Sequence, residues 1–285
     1  YSSYSNLVKA EAISFLKCFN QLEKEDLYII WAPSITSLLH CFLVSCVRRS
    51  RVVYIYHEPF TSFRSYWKAG FSMANVIKIY LISLVSSLVC LMSSLVVLPS
   101  KKSQSSFNLS WLGFLNNRKI NLMYDDELIT VNNINEKKYV SYIGNVVSDH
   151  AFTEFIELVS LVSAKELLPD VTFLVCTKSP IPSDCLLRVA LCVEQGRLEV
   201  VAGNVMSNEE INRYYASSFI VWNAYKRSMQ SGVLPKAYMF GAPVITTFIG
   251  ASDYFVNDST GLAISSDYDL NEFVEAIDLI LTSFP

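Results

Sequence analysis

A short segment of the chain, residues 225–236, concentrates groups that could bind a phosphate-bearing ligand. Two basic residues precede a Ser-Gly turn, and a third lies in the helix predicted to follow it. The residues concerned are Lys226, Arg227, Ser231, Gly232, Val233 and Lys236. A glycine at the start of a helix lets an anion approach backbone N–H groups, and the helix dipole favours it. The segment therefore predicts a diphosphate site, although a helix cap without a ligand explains a lone Ser-Gly pair equally well.

Further candidates follow directly after apolar strands. One predicted strand ends before His57 and Glu58, and another ends at Gly144 and Asn145. In doubly wound parallel sheets, ligands bind beyond the carboxyl ends of the strands. These residues are therefore candidates for contact with a ligand, although a single histidine after a strand is more often structural.

The elements that must position these residues alternate between apolar strands and helices. This alternation predicts parallel sheets covered by helices on both faces, in two halves with about five strands each. The predicted strands are 27–31, 51–56, 95–100, 119–124, 139–144, 171–177, 198–203, 219–224, 243–248 and 261–265. The predicted helices are 7–24, 34–48, 150–166, 182–193, 207–218 and 269–284. The helix at 207–218 opens with Ser207, and Glu210 three residues later completes a capping box.

The uncharged run of 20 residues from Ile79 to Leu98 has three interpretations. Its length suffices for a helix that spans a bilayer. Recurring serines favour instead a buried helix that ends near Met92, followed by a turn and a strand. A third interpretation is a helix lying in the membrane interface, with basic and aromatic residues near the lipid headgroups. Those flanking residues are Arg64, Trp67, Lys68 and Lys78.

Residues 128–138 are polar, rich in asparagine and short of large apolar side chains. Such a stretch is typical of a boundary between domains. We therefore predict an N-terminal domain over residues 1–130 and a C-terminal domain over residues 136–285.

The composition of the 285 residues limits the class of protein. With 52% hydrophobic and 17% charged residues, the chain has enough apolar matter for sizeable cores. A formal charge of −3 gives no reason to expect nucleic acid as a partner. The seven cysteines form no Cys-x-x-Cys pair, which favours reduced thiols. No signal peptide opens the chain, and because Tyr1 is no natural start, part of the N-terminus is expected to be missing. The expected location is the cytoplasm.

Several segments resemble, in order and spacing, those of a known family. They are "DLYIIWAP", "RVVYIYHEPF", "SSLVVLPSKKSQSSF", "YIGN", "NEEINRYYASSFIVWNAY" and "KAYMFGAPVITTFIGASDYFVNDSTGLAIS". On these segments the chain resembles family 4 of the retaining glycosyltransferases, which have the two-domain GT-B fold. The resemblance covers nearly the whole chain and is most specific around the segment 236–265, where order and spacing match over some 40 residues. By this comparison, the first strand of the N-terminal domain and the last helix of the C-terminal domain are missing.

The resemblance implies two Rossmann-like domains facing across a cleft, with the acceptor bound by the first and a nucleotide-diphosphate sugar by the second. It implies transfer of the sugar, with retention of anomeric configuration, to a glycan or lipid-linked acceptor, as in surface polysaccharide or lipopolysaccharide synthesis. No metal or cofactor is expected. His57 would contact the donor sugar, and Glu58 would orient His57 or bind acceptor hydroxyls. The expected location is the cytoplasmic face of the membrane, as a peripheral protein.

The chain departs from the family at charged positions. The family has two glutamates eight positions apart, where this sequence has Ser228 and Lys236. Its basic pair after the first donor-domain strand falls here on Asn145 and on or near Asp149 and His150. No role is assigned to His40 or His150. A subset of the family carries Gln-Ser-Gly-Val-x-Pro preceded by Tyr-Lys, as this chain does from Tyr225. The sequence is therefore interpreted as a variant branch, with Lys226 and Arg227 supplying charge near the leaving diphosphate.

Two other functions remain open at this stage. A non-catalytic GT-B-like subunit, whose motif glutamates have decayed, would serve as a binding or scaffolding protein. The second alternative is a Rossmann-type enzyme that uses a dinucleotide, but no Gly-x-Gly-x-x-Gly motif follows an early strand.

Overall fold

A computed structural model describes residues 13, 15–17, 19–23, 26–31, 35–60, 62–68, 70–120, 126–128, 137–227, 231–247, 260–264 and 269–283. The chain divides into two compact units. The first unit comprises Tyr1–Trp67 with Ser72–Leu122, and the second comprises Lys68–Phe71 with Met123–Pro285. Each unit contains one parallel sheet with helices packed on it, which confirms the predicted class of two Rossmann-like α/β domains.

The sheet of the first unit has four described strands in the order β1-β2-β3-β4, all parallel. The strands are β1 (Leu27–Ile30), β2 (Arg51–Ile55), β3 (Leu95–Leu98) and β4 (Asn117–Lys119). The helices in this half are α1 (Ile35–Phe42), α2 (Phe63–Lys68), α3 (Met73–Met92) and α4 (Lys101–Asn108). The predicted helix at 34–48 is α1 together with a π-helical segment, Leu43–Arg48, which ends where Arg49 turns left-handed at φ 56°.

The core of the first unit lies between the sheet and its helices. Its largest fully buried side chains come from β2, β3 and α4, and include Tyr54, Leu98 and Phe107. A capping box starts α4: Ser100 Oγ accepts from the Ser103 backbone N–H at 3.0 Å, and Ser103 Oγ accepts from the Ser100 N–H at 3.0 Å. Both serines are buried, so this cap belongs to the core.

The helix, turn and strand predicted within the uncharged run are confirmed, because α3 ends at Met92 and β3 begins at Leu95. The predicted burial of that helix is wrong. Over its most apolar 18-residue window the mean hydropathy is 1.9, and only 28% of the window is buried. By length and composition α3 could cross a membrane, and in the described residues it is the only helix that could.

The sheet of the second unit has six described strands in the order β10-β9-β8-β5-β6-β7, all parallel. The strands are β5 (Tyr139–Ile143), β6 (Thr172–Thr177), β7 (Leu198–Ala202), β8 (Ser218–Asn223), β9 (Val244–Thr247) and β10 (Gly261–Ile264). The helices are α5 (Phe152–Ala164), α6 (Leu186–Glu194), α7 (Asn208–Ala216), α8 (Val233–Met239) and α9 (Leu270–Ser283). Chain order changes direction between β5 and β8, which is the switch point where such sheets bind ligands.

Apolar packing on both faces holds the second sheet. All five residues of β5 are buried, as expected for a central parallel strand covered on both sides. Trp222 in β8 is only 1% exposed, and its ring contacts those of Phe155 in α5 and Phe273 in α9. The predicted capping box at the start of α7 is confirmed, since Ser207 Oγ accepts from the Glu210 N–H at 3.2 Å.

Lys137 ties the chain directly before β5 to the second unit. Its Nζ donates to the carbonyl oxygens of Ser218 and Phe240, each at 2.9 Å. Phe240 is the C-terminal cap of α8, where the helix dipole favours a positive charge. Burial lowers the pKa of Lys137. The lysine thus joins β8 and α8 through a residue outside both.

Four sequence predictions need comment. The strand predicted at 119–124 overlaps β4, Asn117–Lys119, only at Lys119; Ile120 is not in the strand, and residues 121–124 lie outside the described residues. The position of β4 is set by its ladder with β3, and polar residues are tolerated because β4 ends the described sheet. The two sheets have four and six described strands rather than about five each. In the predicted helix at 7–24, the described residues from 13 to 21 are helical. Most of the predicted boundary at 128–138 lies outside the described residues.

Candidate functional site

A cavity of about 490 Å³ opens at the carboxyl ends of β5 and β6 in the second unit. Its other walls are formed by α7, the start of α8 and the residues after β7 and β8. The lining residues are Ile143, Gly144, Asn145, His150, Cys176, Thr177, Lys178, Val205, Met206, Ile211, Tyr215, Tyr225, Ser231, Gly232, Val233 and Lys236. Six of the residues that the sequence put forward line this one cavity: Gly144, Asn145, Ser231, Gly232, Val233 and Lys236.

Gly144 ends β5 with a conformation that favours glycine. Its φ is +147°, and the space where a Cβ would stand is open. Its N–H donates to the Cys176 carbonyl at 3.0 Å, so the turn stays attached to β6. The residue is needed for the backbone angle, and the open space leaves room for a ligand beside the main chain.

His150 lines the cavity, although the sequence suggested no role for it. Its ring stacks on Tyr225 at 4.0 Å between centroids and 7° between planes, and Nδ1 lies 3.0 Å from the Asn145 carbonyl oxygen. The residue before His150 is held as well, because the Lys226 N–H donates to the Asp149 carbonyl at 2.7 Å. One sequence feature could have pointed to His150: it lies at or near a position where the family that the chain resembles has a basic residue.

Tyr225 lines the cavity too, and its ring is the one that stacks on His150. Burial raises the pKa of Tyr225 to about 12, despite a hydrogen bond with Ser231 that lowers it. The phenol is therefore neutral at physiological pH. It adds an aromatic surface without adding negative charge.

The Ser-Gly turn is present, but its geometry differs from the prediction. Ser231 Oγ donates to Asn223 Oδ1 at 2.7 Å and accepts from the Val233 N–H at 3.3 Å. One of the N–H groups predicted to meet an anion is therefore already bound. Because α8 has only seven residues, its dipole is also weak. Gln230 and Ser228, the other motif positions, lie outside the described residues.

Lys236 lies in α8 with its side chain 19% exposed, so it is not a solvated surface lysine. Its Nζ is 3.1 Å from Oε2 of Glu127, and the same oxygen accepts from Asn212 Nδ2 at 2.7 Å. Partial burial would raise the pKa of Glu127, but the hydrogen bonds from Asn212 and Lys236 lower it. The ammonium at this wall of the cavity is thus balanced by an ionised carboxylate that no sequence pattern predicted.

Lys226 and Arg227 do not line the cavity. Lys226 forms an ion pair with Glu154 of α5, in which the side chains are 29% and 18% exposed. Arg227 is buried, at 7% exposure. The charge of Lys226 is therefore compensated within the fold, which weakens it as a direct source of charge for a ligand.

His57 and Glu58 belong to the first unit and follow β2, as predicted. The His57 ring is half-buried, with its centroid 4.7 Å from that of Trp31, and Glu58 is exposed. Neither residue lines the cavity described above. In the part of the chain that the structure describes, no three His, Cys, Asp or Glu side chains come together as a metal site.

The second unit matches a known family. The family model described as Glycosyl transferases group 1 matches residues 137–283, just over half of the chain. The chain belongs to this family. It is therefore a glycosyltransferase, and the cavity lies within the matched part of this glycosyltransferase. No curated protein sequence matches it significantly.

Solved structures with a similar fold cover most of the chain. A UDP-forming α,α-trehalose-phosphate synthase from Burkholderia vietnamiensis has a TM-score of 0.68 at 10% identity, over 100% of this chain and 70% of that one. Sucrose-phosphate synthase from Thermosynechococcus elongatus has a TM-score of 0.65 at 17% identity, over 90% and 64%. The Anabaena HepE protein in complex with UDP has a TM-score of 0.65 at 14% identity, over 93% and 72%.

At these identities the likeness concerns the fold alone, and the fold is GT-B. The chain spans between 64% and 72% of the length of these three proteins.

Proposed function

We propose that this glycosyltransferase moves a sugar from a nucleotide-diphosphate sugar to a glycan or lipid-linked acceptor, with retention at the anomeric carbon. The observation that supports it best is the cavity at the switch point of the second sheet. Its volume of about 490 Å³ falls in the range of small-molecule sites.

The two sides of the cavity suit the two halves of a nucleoside diphosphate. Apolar side chains from α7 and from the segment after β7 offer a surface for a flat base, and polar groups cluster near the end of β5. The apolar set is Val205, Met206, Ile211 and Tyr215. Of the described lining residues none is Asp or Glu, and His150, Lys178 and Lys236 are basic. A diphosphate would therefore meet no repelling carboxylate on the cavity wall.

Uracil is the first nucleotide base to test. The Anabaena protein of similar fold was solved with UDP, and the Burkholderia enzyme is described as UDP-forming. We further propose that the chain is a variant branch of family 4, marked by the Gln-Ser-Gly-Val-x-Pro motif. Synthesis of surface polysaccharide or lipopolysaccharide is the proposed setting.

The roles proposed for the basic residues follow from their placement. Gly144, Asn145, Ser231, Gly232, Val233 and Lys236 would contact the donor nucleotide, together with His150. Lys226 and Arg227 do not line the cavity and would act at longer range, as positive groups that stabilise the charge of the leaving diphosphate. The bond from the Lys226 N–H to Asp149 gives Lys226 a second task, holding the segment that carries His150.

The proposed transfer needs no metal, no cofactor and no strong carboxylate base. The bond between the anomeric carbon and the diphosphate oxygen breaks, and a bond from the acceptor oxygen forms on the same face. The acceptor's proton passes to the departing phosphate oxygen. His57 would hydrogen-bond the donor sugar and align it, and Glu58 would bind acceptor hydroxyls or orient His57.

Titration calorimetry with UDP, GDP and ADP tests the binding half of this proposal. Incubation of UDP-sugars with a lipid extract tests transfer, and NMR of the product reads its anomeric configuration. We expect one nucleoside diphosphate to bind and the product to retain configuration. An inverted product would refute retention. Nucleotide binding without transfer or hydrolysis would favour the alternative, a catalytically decayed GT-B-like scaffold.

We also propose a peripheral location on the cytoplasmic face of the membrane, through the first unit. The outward side chains of α3 are large and apolar, whereas the side chains it packs inward include the buried serines Ser86 and Ser87. The outward set is Met73, Ile77, Tyr80, Leu81, Ile82, Leu84, Leu88 and Leu91, each at least 43% exposed. A surface helix in water has the opposite arrangement, with its apolar stripe facing the core.

Charge around α3 favours an anionic lipid surface. Residues 35–120 contain ten Lys or Arg and a single acidic residue, Glu58. Phe63 and Trp67 of α2 add exposed aromatic side chains. Because α3 packs against α1 and β2 on one side, it would lie in the interface rather than span the bilayer. Co-sedimentation with vesicles of phosphatidylcholine and phosphatidylglycerol tests this, and equal binding to neutral vesicles at all salt concentrations would refute the electrostatic part.

A further inference from the structure

Glu127 contacts two helices that form one wall of the cavity, although it does not line the cavity itself. It lies between β4 and β5 in the sequence. Its Oε2 joins Asn212 of α7 at 2.7 Å and Lys236 of α8 at 3.1 Å. Its backbone N–H approaches Met239 Sδ at 3.3 Å. Glu127, which is more than 80 positions from α7 and α8 in the sequence, thus holds these two helices together without lining the cavity.

The ion pair between Glu127 and Lys236 affects the charge of the cavity. Asn212 is fully buried and holds the carboxylate in one place. Lys236 then faces the cavity with its charge balanced, while its remaining N–H groups can still donate hydrogen bonds. A balanced ammonium attracts phosphate less than a free one does, but it can still recognise a neutral hydroxyl.

We propose that Glu127 is a positioning and specificity residue. It orients Lys236 toward a sugar hydroxyl of the bound nucleotide, and it balances the positive charge of Lys236 so that this lysine does not bind the diphosphate. This rests on the proposed function, in which the cavity holds a nucleoside diphosphate. The diphosphate would then be read at the end of β5 and by Lys178 rather than by Lys236.

The test compares the affinities of UDP and uridine for the full chain by titration calorimetry. In Glu127→Gln the hydrogen bond with Asn212 can persist, but Lys236 becomes an unbalanced cation. The ratio of the uridine Kd to the UDP Kd should then rise by about tenfold, because one more net positive charge faces the phosphates. Glu127→Asp keeps the charge and should keep a ratio close to that of the unaltered protein.

A matched control exists elsewhere in the same unit. Glu199 pairs with Lys138 at 3.0 Å and accepts from the Tyr139 hydroxyl at 2.7 Å, so it has a lysine and a neutral donor as Glu127 does, but away from the cavity. Glu199→Gln should leave the ratio unchanged. Thermal midpoints of all variants show whether each remains folded.

The decisive step repeats Glu127→Gln in a Lys236→Met background, where it should have no further effect on the ratio. The proposal is overturned if Glu127→Gln and Glu199→Gln give the same ratio, or if the rise persists without Lys236. If neither UDP nor GDP binds the unaltered protein, the proposed function itself fails, and this inference with it. A preference of the unaltered protein for UDP over 2′-deoxy-UDP that disappears in Lys236→Met supports hydroxyl recognition, and an unchanged preference refutes it.

Discussion

In the first unit a 20-residue helix, α3, turns leucines and isoleucines outward, whereas in the second unit the large aromatic Trp222 is enclosed by other rings. Charge differs as well. Residues 35–120 have ten basic residues and one acidic residue, but residues 137–283 have ten basic and 17 acidic residues. The overall charge of −3 therefore conceals a basic part and an acidic part. This difference underlies the two proposed roles, contact with a lipid surface for the first unit and binding of a small ligand for the second.

The largest expected difference concerns stability. Trp222→Ala should lower the free energy of unfolding by about 3–5 kcal/mol, because it removes a large ring from a packed core. Leu81→Ala, at a position 57% exposed, should change it by no more than about 0.5 kcal/mol. Urea denaturation followed by circular dichroism measures both. Similar losses in the two variants would show that α3 is covered in solution, by another segment or another molecule.

The next difference concerns catalysis. If the first unit aligns the donor sugar, His57→Ala should lower turnover by about 10–1000-fold and leave UDP affinity unchanged. His150→Ala should instead weaken UDP binding by about tenfold, because it removes a ring from the cavity wall. Steady-state kinetics and titration calorimetry separate these effects. A fully active His57→Ala variant would remove the proposed role.

Lipid binding should distinguish the units next. Leu81→Ser with Leu88→Ser places two hydroxyls on the outward face of α3 and should lower partitioning onto anionic vesicles by at least about tenfold. Leu187→Ser with Leu191→Ser alters two leucines on α6 that are at least as exposed, and it is the control. Raising the salt concentration should weaken binding of the unaltered protein. Equal loss in both double variants would mean that no particular face binds lipid.

The smallest effects are expected at two helix caps. Ser207→Ala should cost about 0.5–1 kcal/mol, since its cap is exposed and water can replace the lost bond. Ser100→Ala should cost up to about 2 kcal/mol, because it leaves the buried Ser103 hydroxyl with one bond fewer. Thermal unfolding of the two variants gives the comparison. A larger loss for Ser207 would show that the cap in the first unit is not part of its core.

Local patterns were sufficient for much of the fold. The serine pair after Met92 marked the end of α3, and the spacing of Ser207 and Glu210 marked the start of α7. Both features depend on residues within four positions of each other, so a sequence displays them directly. The position of β4 was missed because its register is set by β3, and polar residues at the end of a described sheet give no apolar signal.

The candidate site was predictable only in part. Strand ends and the Ser-Gly turn located the residues around the cavity, because parallel strands present their carboxyl ends at one edge. The carboxylates that balance the basic residues were not predictable. Glu154 and Glu127 lie 72 and 109 positions from Lys226 and Lys236, and only the tertiary fold brings each pair together. The outward apolar face of α3 was likewise hidden, since a run without charge does not tell which side is covered.

Lys137 has a consequence for anyone who wishes to prepare the second unit alone. A fragment that starts at Tyr139 contains every described strand of the second sheet, yet it lacks the Lys137 amine that binds the carbonyls of Ser218 and Phe240. It would also lack Glu127, and with it the link between α7 and α8. A recombinant fragment should therefore begin upstream of residue 126, even though the first strand starts 13 residues later.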